Sequence, residues 1–157
     1  MDHPDAHHRT PEGQLDSALV RRLLQAARDA ARQAYVPYSG FPVGAAVLTD
    51  DGAIVGGVNI ENASYGLTVC GERVAIFTAA ASGHRTIRAV AISAPKLPGT
   101  TPCGACRQVM NEFKPQEGEL IVILDANDGP RQIPLSALLP EAFGPRDLAD
   151  ASRSTGE

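Results

Sequence analysis

The chain has 157 residues, 43% of them hydrophobic and 20% charged, which fits one globular domain and excludes a disordered chain. A net charge of -4 argues against a protein that grips a phosphate backbone, and no apolar run is long enough to cross a bilayer. Three cysteines cannot all pair within one chain, and clustered thiols in a reducing compartment point to metal or redox chemistry.

Residues 1–14, "MDHPDAHHRTPEGQ", carry three histidines and two prolines but no apolar core. They read as a flexible tail, not a secretory signal, so a cytoplasmic location is expected. His7 and His8 read as solvated side chains. Residues 15–148 are expected to form the single domain, and 149–157 a frayed tail.

A first helix is expected over 17–35. Leu19, Leu23, Ala27, Ala30, Ala31 and Ala34 recur at helical spacing, with Arg21, Arg22, Arg28, Asp29 and Arg32 mostly opposite. Asp16 or Ser17 can cap it, and Pro37 marks its end. "YVPYSGFPVG" then reads as a loop. "VGAAVLTDDGAIVGGVNI" reads as two strands joined at Asp51-Gly52, a hairpin signal because Gly takes the positive φ the turn needs.

Cys70 is expected to open an Ala-rich helix to about residue 82, stopped by Gly83. "IRAVAISA" is apolar enough for a central strand. Cys103 opens the next helix, which ends before Pro115. "ELIVILDA" gives a fourth strand, and a turn at 127–129 leads into a short fifth near 131–133. "PLSALLPEAF" predicts a brief last helix, with the tail fraying from about Asp147. The order α-β-β-α-β-α-β-β implies crossover connections and an α/β fold whose sheet is covered on both faces. Its hairpins make that sheet mixed.

The cysteines suggest a metal. Catalytic zinc takes three protein ligands and keeps a fourth position for water. Cys103 and Cys106 in "PCGAC" would sit one turn apart on a helix start, and Cys70 in "CGE" would come from a second helix start. Helix N-termini stabilise thiolate over thiol. Arg73 can hydrogen-bond to the thiolates and offset their charge. Glu72 sits where a carboxylate can take and return a proton without being a ligand. A redox pair would explain Cys103 and Cys106 but leave Cys70 and Glu72 without a part. A structural zinc site would want a fourth ligand, and His84 lies at the far end of the helix that Cys70 opens.

"CGE" followed by "PCGAC" is the signature of zinc-dependent deaminases. With "AYVPYSGFPVGAA" (34–46), "GVNIENASYGLTVCGER" (57–73), "PCGACRQV" (102–109) and "LLPEAFGP" (138–145), the chain resembles the cytidine deaminase family in its small, homotetrameric, three-cysteine form. The likeness runs from about Leu19 to Leu148. It implies a three-layer α/β/α sandwich around a five-stranded mixed sheet, with one zinc ion per chain.

The resemblance makes Cys70, Cys103 and Cys106 the zinc ligands, Glu72 the proton shuttle and Arg73 the charge-compensating arginine. It makes Asn59 and Glu61 the pair that hydrogen-bonds the ribose 3′-hydroxyl. Positions 59 and 61 share one face of an extended segment, although a solvated strand end explains them equally well without the family. Phe41 matches an aromatic that packs on the pyrimidine ring; by composition alone it reads as loop packing. Phe143 matches an aromatic that reaches a neighbouring subunit's site, and Ala63 and Tyr65 fall in a loop that contributes across an interface. Gly71 stands where the family more often has Ala, with its N–H available to substrate.

The implied activity is hydrolytic deamination of cytidine and 2′-deoxycytidine to uridine and 2′-deoxyuridine, a step of pyrimidine salvage. The substrate is expected to be a free nucleoside and not a nucleic acid, and the assembly a homotetramer without a membrane partner. Two rivals remain at this point. One is a same-fold deaminase of another aminopyrimidine nucleoside, such as blasticidin S. The other is a non-catalytic zinc-binding module.

Overall fold

The computed structural model describes residues 13–154. Most of the expected N-terminal tail, His7 and His8 included, lies outside the described residues, as do residues 155–157. Asp16 caps the first helix, α1 (Ser17–Ala31), its Oδ1 accepting from the N–H groups of Ala18 and Leu19 at 3.0 Å each. Leu19, Val20, Leu23, Leu24, Ala27 and Ala31 form its buried stripe. The helix stops four residues before Tyr35, well short of Pro37. The reason is tertiary: the Tyr35 N–H donates to the Asn59 carbonyl at 3.1 Å, and the Glu61 N–H donates to the Tyr35 carbonyl at 2.9 Å. Those bonds need an extended backbone at Tyr35.

Strands β1 (Gly44–Thr49) and β2 (Ile54–Val58) form the expected hairpin, with Gly52 at φ +85° in its turn. Helix α2 (Gly71–Ala81) crosses to β3 (Ile87–Ser93), and α3 (Gly104–Phe113) crosses to β4 (Ile121–Leu124). β5 (Arg131–Pro134) then pairs back on β4. The sheet order is β2-β1-β3-β4-β5, so β3 is central. Only the β3–β4 pairing is parallel; the other three are antiparallel.

Side chains alternate across this sheet, as the period of two requires. Ala46, Leu48, Ala89, Ala91, Ile121 and Ile123 face α1. Ala45, Val47, Val90, Ile92, Val122 and Leu124 face the other way, into a core shared with Ala75, Ile76 and Ala79 of α2 and Cys106 and Met110 of α3. The result is the mixed, two-sided sandwich expected. α2 sits very close to its strand at Gly57. A Cβ there would lie 2.2 Å from the Ala75 nitrogen and 2.6 Å from the Gly71 carbonyl oxygen, both backbone atoms. Glycine at 57 therefore sets how near the start of α2 comes to the end of β2.

The C-terminal part departs from expectation. "PLSALLPEAF" contributes only a four-residue helix, α4 (Leu135–Leu138). A further helix, α5 (Pro145–Ser154), occupies the stretch expected to fray. Pro at its first position and the Gly144 N–H bonded to Asp147 Oδ2 at 2.6 Å start it. Every residue from Pro145 to Arg153 is exposed, and Leu148 is the one large apolar side chain among them.

Candidate active site

The two crossover helices start at the same place. Cys70 is the N-cap residue of α2, and Cys103 the N-cap residue of α3. Cys106 follows one turn into α3 and is fully buried. Their sulfurs converge: Cys70 to Cys103 is 3.8 Å and Cys103 to Cys106 is 3.4 Å, with all three within 4.8 Å of one another. Zinc–sulfur bonds of about 2.3 Å in a tetrahedron put sulfurs about 3.8 Å apart, so the trio fits one zinc ion. Arg73 Nη2 lies 3.6 Å from the Cys70 sulfur.

The charges follow from this crowding. Hydrogen bonding from Cys106 first, then from Arg73 and Cys103, lowers the Cys70 thiol to about 5 against the opposing effect of burial. Cys106 goes the other way, because its proton is held toward Cys70 and it is buried. The thiolate is therefore favoured at Cys70 and the thiol at Cys106. Hydrogen bonding to Cys70 keeps the Arg73 guanidinium charged.

Glu72 is 4% exposed, and burial raises its carboxyl above the ordinary range. Its Oε2 is buried without a hydrogen-bond partner among the described residues, and so is Arg73 Nε. Such atoms are rare unless a ligand, ion or water completes them. A buried carboxyl with raised affinity for a proton, next to three sulfurs suited to zinc, has what proton transfer at a metal centre needs.

Beside this cluster, the end of β2 holds a loop. Asn59 Oδ1 accepts from the Val43 N–H at 2.9 Å, and Asn59 Nδ2 donates to the Phe41 carbonyl at 2.8 Å. The Glu61 carboxylate accepts from the N–H groups of Tyr38 at 2.9 Å and Ser39 at 3.2 Å, and from the Ser39 hydroxyl. These bonds, the Ser39 hydroxyl first among them, keep Glu61 ionised below the usual carboxylate range. Gly71 packs against the same strand end: a Cβ there would lie 3.1 Å from the Val43 carbonyl oxygen and 3.3 Å from the Asn59 nitrogen. The start of α2 and the loop carrying Phe41 are therefore neighbours.

A cleft of about 370 Å³ is lined by Tyr38, Ser39, Glu61, Tyr65 and Thr68. Tyr38 and Tyr65 meet edge to face at 5.9 Å. Tyr38, Ser39 and Thr68 are lining residues that the sequence reading did not single out. The stretch "YVPYSGFPVG" that holds Tyr38 and Ser39 read only as a loop. Ala63 is exposed, and Tyr65 and Phe143 are 76% and 61% exposed, so these three stand at the surface of the single chain.

A thiol trio at two helix starts of an α/β/α sandwich, with a buried carboxyl alongside, defines a zinc-binding enzyme domain. Residues 18–122 match the model of the cytidine and deoxycytidylate deaminase zinc-binding region. The chain is 46% identical over 128 residues to a cytidine deaminase of Halalkalibacterium halodurans, covering 82% of this chain and 96% of that one. It is 45% identical over 134 residues to one of Sporosarcina psychrophila, covering 85% and 97%. The crystal structure of cytidine deaminase from Burkholderia pseudomallei superposes with a TM-score of 0.72 at 46% identity, over 78% of this chain and 98% of that one. The chain belongs to the cytidine deaminase family.

Proposed function

We propose that the chain is a zinc-dependent hydrolase that deaminates cytidine and 2′-deoxycytidine to uridine and 2′-deoxyuridine, releasing ammonia. The observation that carries this reading is the orphaned Oε2 of Glu72 beside three sulfurs spaced for one zinc ion. Zinc held by Cys70, Cys103 and Cys106 supplies the Lewis acidity that makes water a nucleophile near neutral pH. Glu72 takes a proton from the attacking water and passes it to N3 as the C4–O bond forms, then takes the proton of the new C4 hydroxyl and delivers it to the amino group as the C4–N bond breaks and ammonia leaves. Arg73 offsets the negative charge of the thiolates.

Substrate binding falls to the loop and strand end described above. Phe41 packs on the base, while Asn59 and Glu61 hydrogen-bond the ribose 3′-hydroxyl. The Gly71 N–H meets the pyrimidine, and Ala63 and Tyr65 contribute to the site across a subunit interface. Phe143 reaches the base in a neighbouring copy of the chain. The assembly is a homotetramer. In its support, Phe77 is 47% exposed on α2, a helix apolar on nearly all sides. The substrate is a free nucleoside and the location cytoplasmic. Among the described residues no helix is long and apolar enough to cross a membrane.

The test is metal analysis of the purified protein together with the loss of cytidine absorbance. About one zinc per chain with turnover of cytidine and deoxycytidine is the expected result. Turnover of blasticidin S alone would move the substrate to another aminopyrimidine. Bound zinc with no turnover of any nucleoside would leave a binding module.

A further inference from the structure

Phe143 has an exposed ring on a firmly held backbone. Its carbonyl oxygen accepts two side-chain amides from α3, Gln108 Nε2 at 2.9 Å and Asn111 Nδ2 at 3.1 Å. Asn111 is 4% exposed, a polar side chain buried under this segment. Gly144 follows, and a Cβ there would lie 2.7 Å from Asn111 Nδ2, so the amide fills the space that any other residue would need. Arg107, also on α3, donates through Nη1 to the Leu138 carbonyl at 2.8 Å, pinning the start of the same segment. Between the two anchors Glu141 takes φ +51°, a left-handed backbone that a non-glycine residue adopts only when its surroundings hold it there.

We propose that Gln108 and Asn111 are positioning residues for the deaminase reaction: by holding the Phe143 carbonyl, they aim its ring at the pyrimidine bound by a second copy of the chain. The inference rests on the role given to Phe143 above. An aromatic that only covered its own surface would need no fixed backbone. One that must stack on a base across an interface binds better when its position is set beforehand. The helix that does the setting also carries Cys103 and Cys106. The helix that carries two of this copy's metal ligands thus also anchors the aromatic offered to another copy.

The test uses the zinc-loaded protein, with zinc content and solution mass as controls, and compares Phe143→Ala, Gln108→Ala, Asn111→Leu and each pairing with Phe143→Ala. Losing one of two hydrogen bonds to the carbonyl should raise KM for cytidine about two- to tenfold with kcat nearly kept. On a Phe143→Ala background the same changes should add nothing, because the ring they aim is gone. Gln108→Lys keeps a donor and should restore KM. An unchanged KM in Gln108→Ala and Asn111→Leu, while Phe143→Ala raises it, overturns the positioning role alone. Losses that multiply with Phe143→Ala do the same. An unchanged KM in Phe143→Ala overturns the reading of Phe143 and the inference with it. Should Asn111→Leu fail to fold, the exposed Gln108→Ala carries the test.

Discussion

Asn59 holds the backbone of Phe41 with a 2.8 Å hydrogen bond from its amide nitrogen, while its amide oxygen takes the N–H of Val43. The residue expected to meet the sugar is therefore also the clasp of the loop that carries the aromatic. One amide hydrogen remains for a ligand. Asn59→Leu should raise KM and also lower unfolding free energy by about 1–3 kcal/mol, since two loop groups lose their partner. Steady-state kinetics and urea unfolding on the same preparation check both. A raised KM with unchanged stability would assign Asn59 to the sugar alone.

Glu72→Gln should keep the zinc and the fold but reduce kcat by about 10²- to 10⁴-fold or more, the usual share of a positioned acid–base group. The amide also fits the buried position better than a carboxylate. Folding raises the Glu72 carboxyl above its ordinary 4.5, so its contribution to stability is full below that value and is lost as pH rises through the folded one. Metal-free Glu72→Gln should accordingly gain on the unsubstituted metal-free chain as pH rises. Denaturation midpoints across that range read the difference.

Zinc uptake should release protons. Cys70 is already drawn down to about 5, but Cys106 keeps its proton, and all three ligands must bind as thiolates. Calorimetric titration of metal-free protein in two buffers of different ionisation enthalpy should show net release at pH 7, and weaker affinity as pH falls. Equal heats in both buffers would contradict the assignment of the three sulfurs as ligands.

Away from the site, Arg28 clasps Asp125 through two hydrogen bonds of 2.8 and 2.6 Å, and Ser93 donates to the same carboxylate at 2.8 Å. This links α1 to the ends of β3 and β4. The Arg28 hydrogen bond first, then Ser93, lowers Asp125 below its ordinary 3.8. The stability it gives is present above that value and lost as pH falls through the folded one. Asp125→Asn should cost about 1 kcal/mol at neutral pH, modest because Arg28 is half exposed, and the gap should close in acid. Urea melts at pH 7 and below pH 3.8 measure it.

The fold was largely legible because each element carried its own signal. The Asp51-Gly52 turn, the apolar run of β3 and the cysteine-led helix starts all depend on neighbours close in sequence. The end of α1 was not legible. Ala34 continues the helical pattern, and only the distant bonds of Tyr35 to Asn59 and Glu61 pull the chain straight. α5 escaped for a different reason: Leu148 is its one large apolar side chain and it stays exposed, so the helix buries no core face. At the site, the thiols and Glu72 were visible because so few residue types can do that chemistry. The clasps made by Asn59, Glu61, Gln108 and Asn111 were not, because an amide or carboxylate facing a main-chain atom leaves no trace in spacing.

The sheet keeps its two sides apart. The cluster that α1 shares with Ala46, Leu48, Ala89, Ala91, Ile121 and Ile123 includes no cysteine and no residue assigned to the nucleoside. Apolar exchanges on that side are free to alter how much heat the molecule survives without altering what it transforms. A family built on this plan can drift there while its catalytic side stands still.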